Sequence, residues 1–169
     1  MRKIKLFIAC SLDGFIARED GGIDWLFTGD YGYTKFYNSV DVVLMGRKTY
    51  ELALKLGEDY KDKKVIVFTR QKNLKKFSNI EFVSDIVPFT KKLKTEKGKD
   101  VWLVGGGEII SVLLNNNLID EMQIFVHPII LGKGIPLFKD IKKEIKLKLV
   151  ETKEFEDGLV KVEYKILRD

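Results

Sequence analysis

Short apolar runs alternate with amphipathic segments along most of this chain. Three runs, over residues 42–45, 65–68 and 101–104, contain only apolar residues, as expected for strands that are buried on both faces of a sheet. Further strands are predicted over residues 2–10, 80–83 and 121–127. The intervening segments predict helices over residues 30–39, 47–55, 86–97 and 108–116.

The end of the chain has a different pattern. Residues 145–155 and 159–167 alternate apolar and polar positions, which is typical of half-buried strands. The Asp157-Gly158 pair between them is a strong signal for a hairpin turn. Residues 11–29 and 128–138 are punctuated by glycine, aspartate or proline, and both segments are therefore predicted to be loops.

Strands that alternate with helices and end in a hairpin predict an α/β fold with a mixed, mostly parallel sheet. The length of 169 residues and the apolar share of 45% suit a single domain, residues 1–169, with a real core. No apolar run approaches the roughly 20 residues of a membrane span. Lys5 and Asp13 limit the apolar run at the start, which argues against a secretory signal. Because Cys10 is the single cysteine, we expect a buried structural thiol in a cytoplasmic protein.

The chain carries a net charge of +5. Its lysines are interspersed with acids such as Asp62, Glu96 and Asp140, which is typical of a solvated surface rather than of a nucleic-acid or membrane patch. A mildly positive protein nevertheless attracts phosphorylated ligands.

Several common site motifs are excluded by single positions. The dinucleotide-binding pattern G-x-G-x-x-G requires glycine at position 110, where the chain has isoleucine. Gly132-Lys133 is followed by Gly134 instead of the Ser or Thr of a P-loop. One histidine and one cysteine cannot assemble a common zinc site, so no metal is predicted. The single histidine, His127, lies at a strand end and is interpreted as structural rather than as a catalytic base.

Two strand-to-helix junctions remain as candidates for a ligand site. Residues 44–51 and 101–109 each place glycine at a predicted helix N-terminus, directly after the carboxyl end of a strand. Free N–H groups and the helix dipole favour an anion there, and Arg47 adds a forked cation suited to phosphate. Thr69-Arg70 places another cation at a third strand end. Either glycine junction alone is also typical of a simple turn, but the two together match the diphosphate of a dinucleotide.

Five motifs, in order, make this chain similar to a known family. They are residues 11–17 (SLDGFIA), 45–50 (MGRKTY), 104–108 (VGGGE), 118–121 (LIDE) and 128–134 (PIILGKG). With these motifs the chain resembles the dihydrofolate reductase superfamily, and most closely its riboflavin-biosynthesis branch, the RibD C-terminal domain family. The resemblance covers nearly the whole chain. It implies a dihydrofolate-reductase-like three-layer αβα sandwich, with NADPH as the cofactor.

The resemblance also implies a cofactor site that is built largely from backbone turns. The residues it assigns to the cofactor are Ala9, Ile16, Ala17, Gly46, Arg47, Lys48, Thr49, Thr69, Arg70, Val104, Gly105, Gly106, Gly107 and Glu108. Within this set, Arg47 is expected near the adenosine 2′-phosphate, and Thr69 and Arg70 are expected to flank the adenine ribose. The first three residues are expected to line the nicotinamide carboxamide. A cis peptide bond is expected between Gly105 and Gly106.

A catalytic acid is the next implication of the resemblance. The family places a carboxylate on the first helix, five residues after a loop tryptophan, and here Trp25 is followed five residues later by Asp30. Asp30 is thus the candidate proton donor or pterin-ring anchor. Residues 27–29 replace the leucine-proline that usually precedes this acid, so Asp30 is also interpreted as a helix N-cap. Asp13 is another candidate acid, although Asp13-Gly14 is first of all typical of a turn.

Three hypotheses about function follow. The leading one is an NADPH-dependent reductase that transfers hydride to a pteridine-like or ribosylaminopyrimidine substrate. Its type would be that of 5-amino-6-(5-phosphoribosylamino)uracil reductase. The deaminase activity that accompanies this reductase in the riboflavin branch is not expected, because its zinc motif is absent from the sequence. The second is dihydrofolate reductase itself, against which the altered segment 26–30 argues. The third is a non-catalytic nucleotide- or nucleic-acid-binding protein on the same fold, supported by the lysine excess alone. The family branch is commonly dimeric, so we expect a homodimer. We expect no nucleic-acid or membrane partner.

Overall fold

The computed structural model describes residues 1–75 and 77–168. The strands are β1 (Ile4–Ser11), β2 (Phe15–Ala17), β3 (Val40–Gly46), β4 (Lys64–Phe68), β5 (Ile80–Val83), β6 (Asp100–Gly105), β7 (Glu121–His127), β8 (Ile135–Pro136), β9 (Leu147–Glu154) and β10 (Val160–Ile166). The helices are α1 (Tyr33–Asn38), α2 (Arg47–Lys55), α3 (Ile86–Thr95) and α4 (Gly107–Asn115). Each of the predicted strands and helices is present, with ends that differ by up to three residues.

One large sheet organises the molecule, in the strand order β5-β4-β3-β6-β1-β7-β10-β9. The six strands from β5 to β7 are parallel, because helices or long connections return the chain to the same edge each time. β10 and β9 are antiparallel additions at one side and form the predicted hairpin. The mixed, mostly parallel sheet is therefore confirmed.

Helices cover both faces of this sheet. Along β3, Val42 and Leu44 belong to a core that includes α3 and α4, whereas Val43 and Met45 belong to a second core with α1 and α2. This alternation follows from the two-residue period of a strand, which sends successive side chains to opposite faces. The apolar runs of the central strands are continuous because both faces are buried. The predicted three-layer αβα arrangement is confirmed.

Three segments differ from the sequence-based expectation. The loop over residues 11–29 contains β2, and the turn region over 128–138 contains β8; these two short strands pair with each other in a separate sheet. Each is too short to show a period, and they pair only because the fold brings distant loops together. Helix α1 begins at Tyr33 rather than at Asp30. Among the described residues, no helix has the length and apolar character needed to cross a bilayer.

Candidate active site

The candidate site lies where two neighbouring strands send their helices to opposite faces of the sheet. β3 and β6 are parallel neighbours, with Met45 opposite Gly105 at their carboxyl ends. β3 continues into α2 on one face, and β6 continues into α4 on the other. In open α/β sheets such a switch point opens a crevice beyond the strand ends, where ligands bind. The fold therefore brings together the two glycine junctions that the sequence singled out.

The two glycine turns face each other across this crevice. A Cβ atom placed on Gly46 would lie 4.0 Å from the backbone nitrogen of Gly106 and 3.3 Å from Cγ1 of Ile109. A Cβ atom placed on Gly106 would lie 3.4 Å from Oγ1 of Thr49. Side chains at either glycine would therefore fill the space between the turns. The peptide bond between Gly105 and Gly106 is cis, as the resemblance predicted.

Both helices begin with backbone N–H groups that no side chain caps. α2 starts after Gly46 and α4 starts after Gly106, and neither helix has a side-chain cap hydrogen bond. Their first turns direct N–H donors and positive dipole ends toward the same edge of the sheet. A ligand with two linked phosphate groups suits this pair of donors, because each phosphate can accept from one helix N-terminus.

The carboxyl end of β4 adds a third strand end to this edge. Gly46 lies opposite Phe68 in the β3–β4 register, so Arg47 and Thr69 follow at adjacent strand ends. The Thr69 hydroxyl accepts a hydrogen bond, 3.1 Å long, from the backbone N–H two residues later. This bond shapes the start of the loop, where Arg70 is exposed. The predicted ribose-side residues therefore border the same crevice.

Arg47 is held on the first turn of α2. Its Nη1 donates to Oε1 of Glu51 at 2.7 Å, one helical turn later, and a third of the arginine side chain remains exposed. A guanidinium group has five N–H donors, so the pair with Glu51 leaves donors for a phosphate. Lys48, the next residue, is exposed. The first turn of α2, beside the crevice, thus carries two cations.

The small β2–β8 sheet closes the other side of the crevice. Phe15 pairs with Pro136, and a Cβ atom placed on Gly107 would lie 2.9 Å from the carbonyl oxygen of Pro136. The absence of a side chain at Gly107 thus permits β8 to approach the start of α4. Through this contact the structure brings Ile16, half-buried, and Ala17, buried, to the predicted nicotinamide side.

The remaining predicted cofactor residues lie on and beside β6. A Cβ atom placed on Gly105 would lie 3.5 Å from the Cδ1 atom of an isoleucine of β1, so the carboxyl part of β1, which includes half-buried Ala9, adjoins the glycine turn. Val104 is half-buried. The Glu108 side chain is 82% exposed and pairs with Nζ of Lys139 at 3.5 Å, so a cation offsets the one carboxylate of the predicted set.

Asp30 is an acceptor just before α1. Its carboxylate accepts hydrogen bonds from the N–H of Gly32 at 3.0 Å and of Thr34 at 3.1 Å, and from the Thr34 hydroxyl. These bonds, that of the Thr34 hydroxyl foremost, lower the pKa of Asp30. The N-cap residue of α1 is Gly32, without a side-chain cap hydrogen bond, so the interpretation of Asp30 as the N-cap is wrong. Asp30 lies two residues earlier and accepts from the Thr34 N–H in the first turn. Within residues 1–75 and 77–168, no hydrogen bond joins Asp30 to the predicted cofactor residues, and its catalytic role stays a prediction.

Asp13 ties two loops together at the same edge. Its carboxylate accepts from the hydroxyl of Ser11 at 2.6 Å and from the N–H groups of Leu131 at 3.1 Å and Gly132 at 2.8 Å. The bond from Ser11, followed by those from the two backbone groups, lowers the pKa of Asp13. Burial, with the nearby charge of Asp13, raises the pKa of the Cys10 thiol to about 11. Cys10 therefore stays protonated, as expected of a structural thiol.

Two residues outside the predicted cofactor set, Trp25 and His127, meet at the carboxyl end of β7. Trp25 is buried, and its indole N–H has no hydrogen-bond partner among the described residues. Its ring packs edge-on against the buried ring of His127, with centroids 5.3 Å apart. No local signal predicts this contact, because the two residues are far apart in the sequence. Within the described ranges, no three His, Cys, Asp or Glu side chains converge into a metal-binding group.

A surface groove of about 570 Å³ lies elsewhere, at the amino ends of β4 and β5. It is lined by residues 61–64 and 78–81, most of which are exposed and polar. No helix begins there, and ligands of open α/β sheets bind at the opposite, carboxyl edge. We therefore place the candidate site by its chemistry and not by the size of this groove.

Comparison with known proteins identifies the family of this chain. Residues 38–161 match the family model of the RibD C-terminal domain. The chain belongs to this family. The resemblance drawn from the five sequence motifs is thereby confirmed, and the family region spans the β3, β4 and β6 strand ends that form the crevice.

Individual proteins similar to this chain cover nearly its whole length. The uncharacterized protein YwjB of Bacillus subtilis is 44% identical over 161 residues, which are 91% of this chain and 92% of YwjB. A structure named "Putative riboflavin biosynthesis protein", from Shewanella sp. PV-4, is 30% identical with a TM-score of 0.87, and the match covers 98% of this chain and 99% of that one.

A third comparison concerns the fold alone. The diaminohydroxyphosphoribosylaminopyrimidine deaminase/5-amino-6-(5-phosphoribosylamino)uracil reductase of Thermotoga maritima superposes with a TM-score of 0.74 at 23% identity. The match covers 98% of this chain but 57% of the Thermotoga protein. The match therefore shows that this chain shares its fold with a part of the Thermotoga protein.

Proposed function

We propose that this chain is an NADPH-dependent reductase of the riboflavin-biosynthesis type, with a ribosylaminopyrimidine as its substrate. The observation that carries the proposal is the contact between the glycine turns that start at Gly46 and Gly105, at the switch point of the sheet. Two uncapped helix N-termini at one crevice suit a dinucleotide diphosphate. Membership of the RibD C-terminal domain family supports reduction as the chemistry.

The residues of the crevice would divide the work of holding NADPH. The first turns of α2 and α4 bind the diphosphate, and Arg47, steadied by Glu51, binds the 2′-phosphate. Ile16 and Ala17 position the nicotinamide side. NADPH, when bound, supplies hydride from the nicotinamide C4 to an electrophilic carbon of the substrate. The chain contributes alignment of the two rings and exclusion of water.

The proton that balances the hydride has a separate source in this proposal. A side chain that donates a proton works best with a pKa near the working pH. Hydrogen bonds lower the pKa of both Asp30 and Asp13, so both are carboxylates at neutral pH. We therefore assign the proton to solvent. With the proton assigned to solvent, the role toward the substrate that remains for Asp30 is the predicted anchor of a pterin-like ring.

A cofactor titration tests the proposal. Addition of NADPH should quench the tryptophan fluorescence of the wild-type protein, and the quenching should saturate. Arg47→Ala should weaken NADPH by about 10- to 100-fold, because a charge-assisted bond to phosphate is worth about 1.5–3 kcal/mol, and should change NADH affinity by less than about threefold. Lys148→Ala removes the same charge from the exposed strand β9 and should leave both affinities unchanged.

The outcomes separate the alternatives. No saturation at millimolar NADPH would refute the reductase, and salt-dependent retention on DNA without NADPH binding would favour the nucleic-acid-binding alternative. Equal losses for NADPH and NADH in Arg47→Ala would remove that residue from the 2′-phosphate site. Turnover of dihydrofolate but not of the ribosylaminopyrimidine phosphate would correct the proposed substrate.

A further inference from the structure

His127 has a buried position at the substrate side of the crevice. It is the last residue of β7, lies opposite Ser11 in the β1–β7 register, and is 3% exposed. β1 separates β7 from β6 in the sheet, and strands are spaced by about 4.8 Å. The imidazole is therefore on the order of 10 Å from the line of β6, on the side away from the phosphate-binding turns.

Both nitrogens of this ring are in use. Nδ1 lies 3.1 Å from the carbonyl oxygen of Phe125, and because a carbonyl can only accept, Nδ1 carries the hydrogen. Nε2 lies 3.2 Å from the backbone nitrogen of Phe27, and because an amide N–H can only donate, Nε2 is the acceptor. The two contacts together fix the neutral, Nδ1-protonated tautomer of His127.

The ring also packs against the aromatic side chains of the same loop. Its centroid lies 5.3 Å from that of Trp25 in an edge-on contact and 5.0 Å from that of Phe27. Among the hydrogen bonds of the described residues, the bond from Phe27 to His127 is the one that joins segment 23–29 to the sheet. Asp24, in the same segment, pairs with Arg18 just after β2, so His127 supplies the contact to the large sheet and Arg18 a contact beside the small one.

We propose that His127 is the positioning residue that fixes segment 23–29 over the carboxyl ends of β1 and β7, and so sets one wall of the substrate space. The inference rests on the proposed function only where it calls this space the substrate site. The contact between His127 and segment 23–29 does not depend on that function. A second hold lies next to it, because Tyr31 donates to the carboxylate of Asp157. The negative charge of Asp157 raises the pKa of His127, against the larger lowering by burial. Protonation of Nε2 would remove the acceptor and release the loop at Phe27.

The first test uses the wild-type protein, in which His127 is the sole histidine. Long-range proton–nitrogen NMR of ¹⁵N-labelled protein at pH 7 should show one neutral imidazole with hydrogen on Nδ1. An Nε2-protonated or cationic ring would overturn the proposal. This measurement needs no variant, so it remains decisive even where a substitution impairs folding.

Matched variants test the hold. His127→Asn keeps a donor at the Nδ1 position but has no atom at Nε2, whereas His127→Gln keeps an acceptor near Nε2. In native-state hydrogen exchange, protection of the Phe27 amide should fall about tenfold in His127→Asn, as expected for one lost hydrogen bond, and be largely restored in His127→Gln. Equal protection of the Phe27 amide in both variants and the wild type would overturn the proposal. So would an equal loss of protection in both variants that matches their loss of global stability.

The NADPH titration keeps this proposal separate from the proposed function. His127 is two strands from β6, so NADPH affinity in His127→Asn should stay within about twofold of wild type. If wild-type protein binds no NADPH, the reductase fails, while the tautomer and the exchange data still decide the hold. If NADPH binds normally and the exchange data contradict the hold, His127 alone loses its role.

Discussion

Gly134 offers a sharp test of how the small sheet is built. Its φ is +157°, and a Cβ atom there would overlap the carbonyl oxygen of Ala17 and lie 3.3 Å from Cβ of Phe15. In the same loop, Gly132 has φ +77° with nothing within 4 Å of the position of a Cβ atom. Gly134→Ala therefore combines backbone strain with a clash, and Gly132→Ala is a matched control that has the strain alone.

The magnitudes follow from these two geometries. A positive φ costs a non-glycine residue about 1–2 kcal/mol, which is the whole effect expected for Gly132→Ala. Relief of the clash at Gly134 requires a backbone shift of about 1 Å to reach ordinary contact distance, and overpacking of this kind costs about 1–3 kcal/mol more. For a chain of this size each kcal/mol lowers Tm by about 2–4 °C, so the two variants should differ by roughly 2–12 °C.

Urea unfolding and thermal melting followed by circular dichroism measure the difference, and the NADPH titration gives it functional meaning. Gly134→Ala should weaken NADPH at least about tenfold, because a displaced β2 moves Ile16 and Ala17, whereas Gly132→Ala should bind within about twofold of wild type. Equal stability of the two variants within about 0.5 kcal/mol would refute the close packing of Gly134 on β2. Normal NADPH affinity in a destabilised Gly134→Ala variant would show that the β2–β8 sheet does not contribute to the cofactor site.

Two further predictions concern charged groups. Asn keeps a side-chain oxygen that can accept from the N–H groups of Gly32 and Thr34, so Asp30→Asn should stay within about 0.5 kcal/mol of wild type in urea unfolding. Asp30→Ala removes that acceptor and should lose about 1 kcal/mol; equal losses would contradict these bonds. Burial lowers the pKa of His127 below its ordinary 6.5, so between 6.5 and the native value the unfolded chain binds more protons, and stability should fall as pH falls through that window. His127→Gln should flatten the dependence of unfolding free energy on pH in this window, and an unchanged slope would show that another group titrates there. Because the pKa of Asp30 is lowered, the stability that depends on its carboxylate is lost only below about pH 4.

The order of elements followed from the sequence because its signals are local. The runs at 42–45, 65–68 and 101–104 became β3, β4 and β6, since a strand buried on both faces has to be apolar throughout. The glycine junctions that start at Gly46 and Gly105 could be assigned to one edge of the sheet, because the carboxyl ends of parallel strands share an edge. The motifs around them were sufficient to identify the RibD C-terminal domain family.

Other features of the site had no local signal. β2 and β8 are three and two residues long, too short for a recognisable period. The sequence allowed Asp30 to be a catalytic acid or, with a slight preference, a helix N-cap, whereas in the structure Gly32 is the N-cap and Asp30 accepts from Gly32 and Thr34. The importance of His127 could not be foreseen, because its partner Phe27 is distant in the chain and is reached through the backbone N–H, which every residue except proline has.

The sequence by itself determined the strands, the helices and the chemistry available at the strand ends, since apolar periodicity and glycine at a helix start act over a few residues. Tertiary structure alone decided that Gly46 and Gly106 face each other, that β8 approaches Gly107, and that the N–H of Phe27 donates to the His127 imidazole. These are contacts between residues far apart in the chain. Their geometry depends on strand order and on loop packing, which local propensity does not encode.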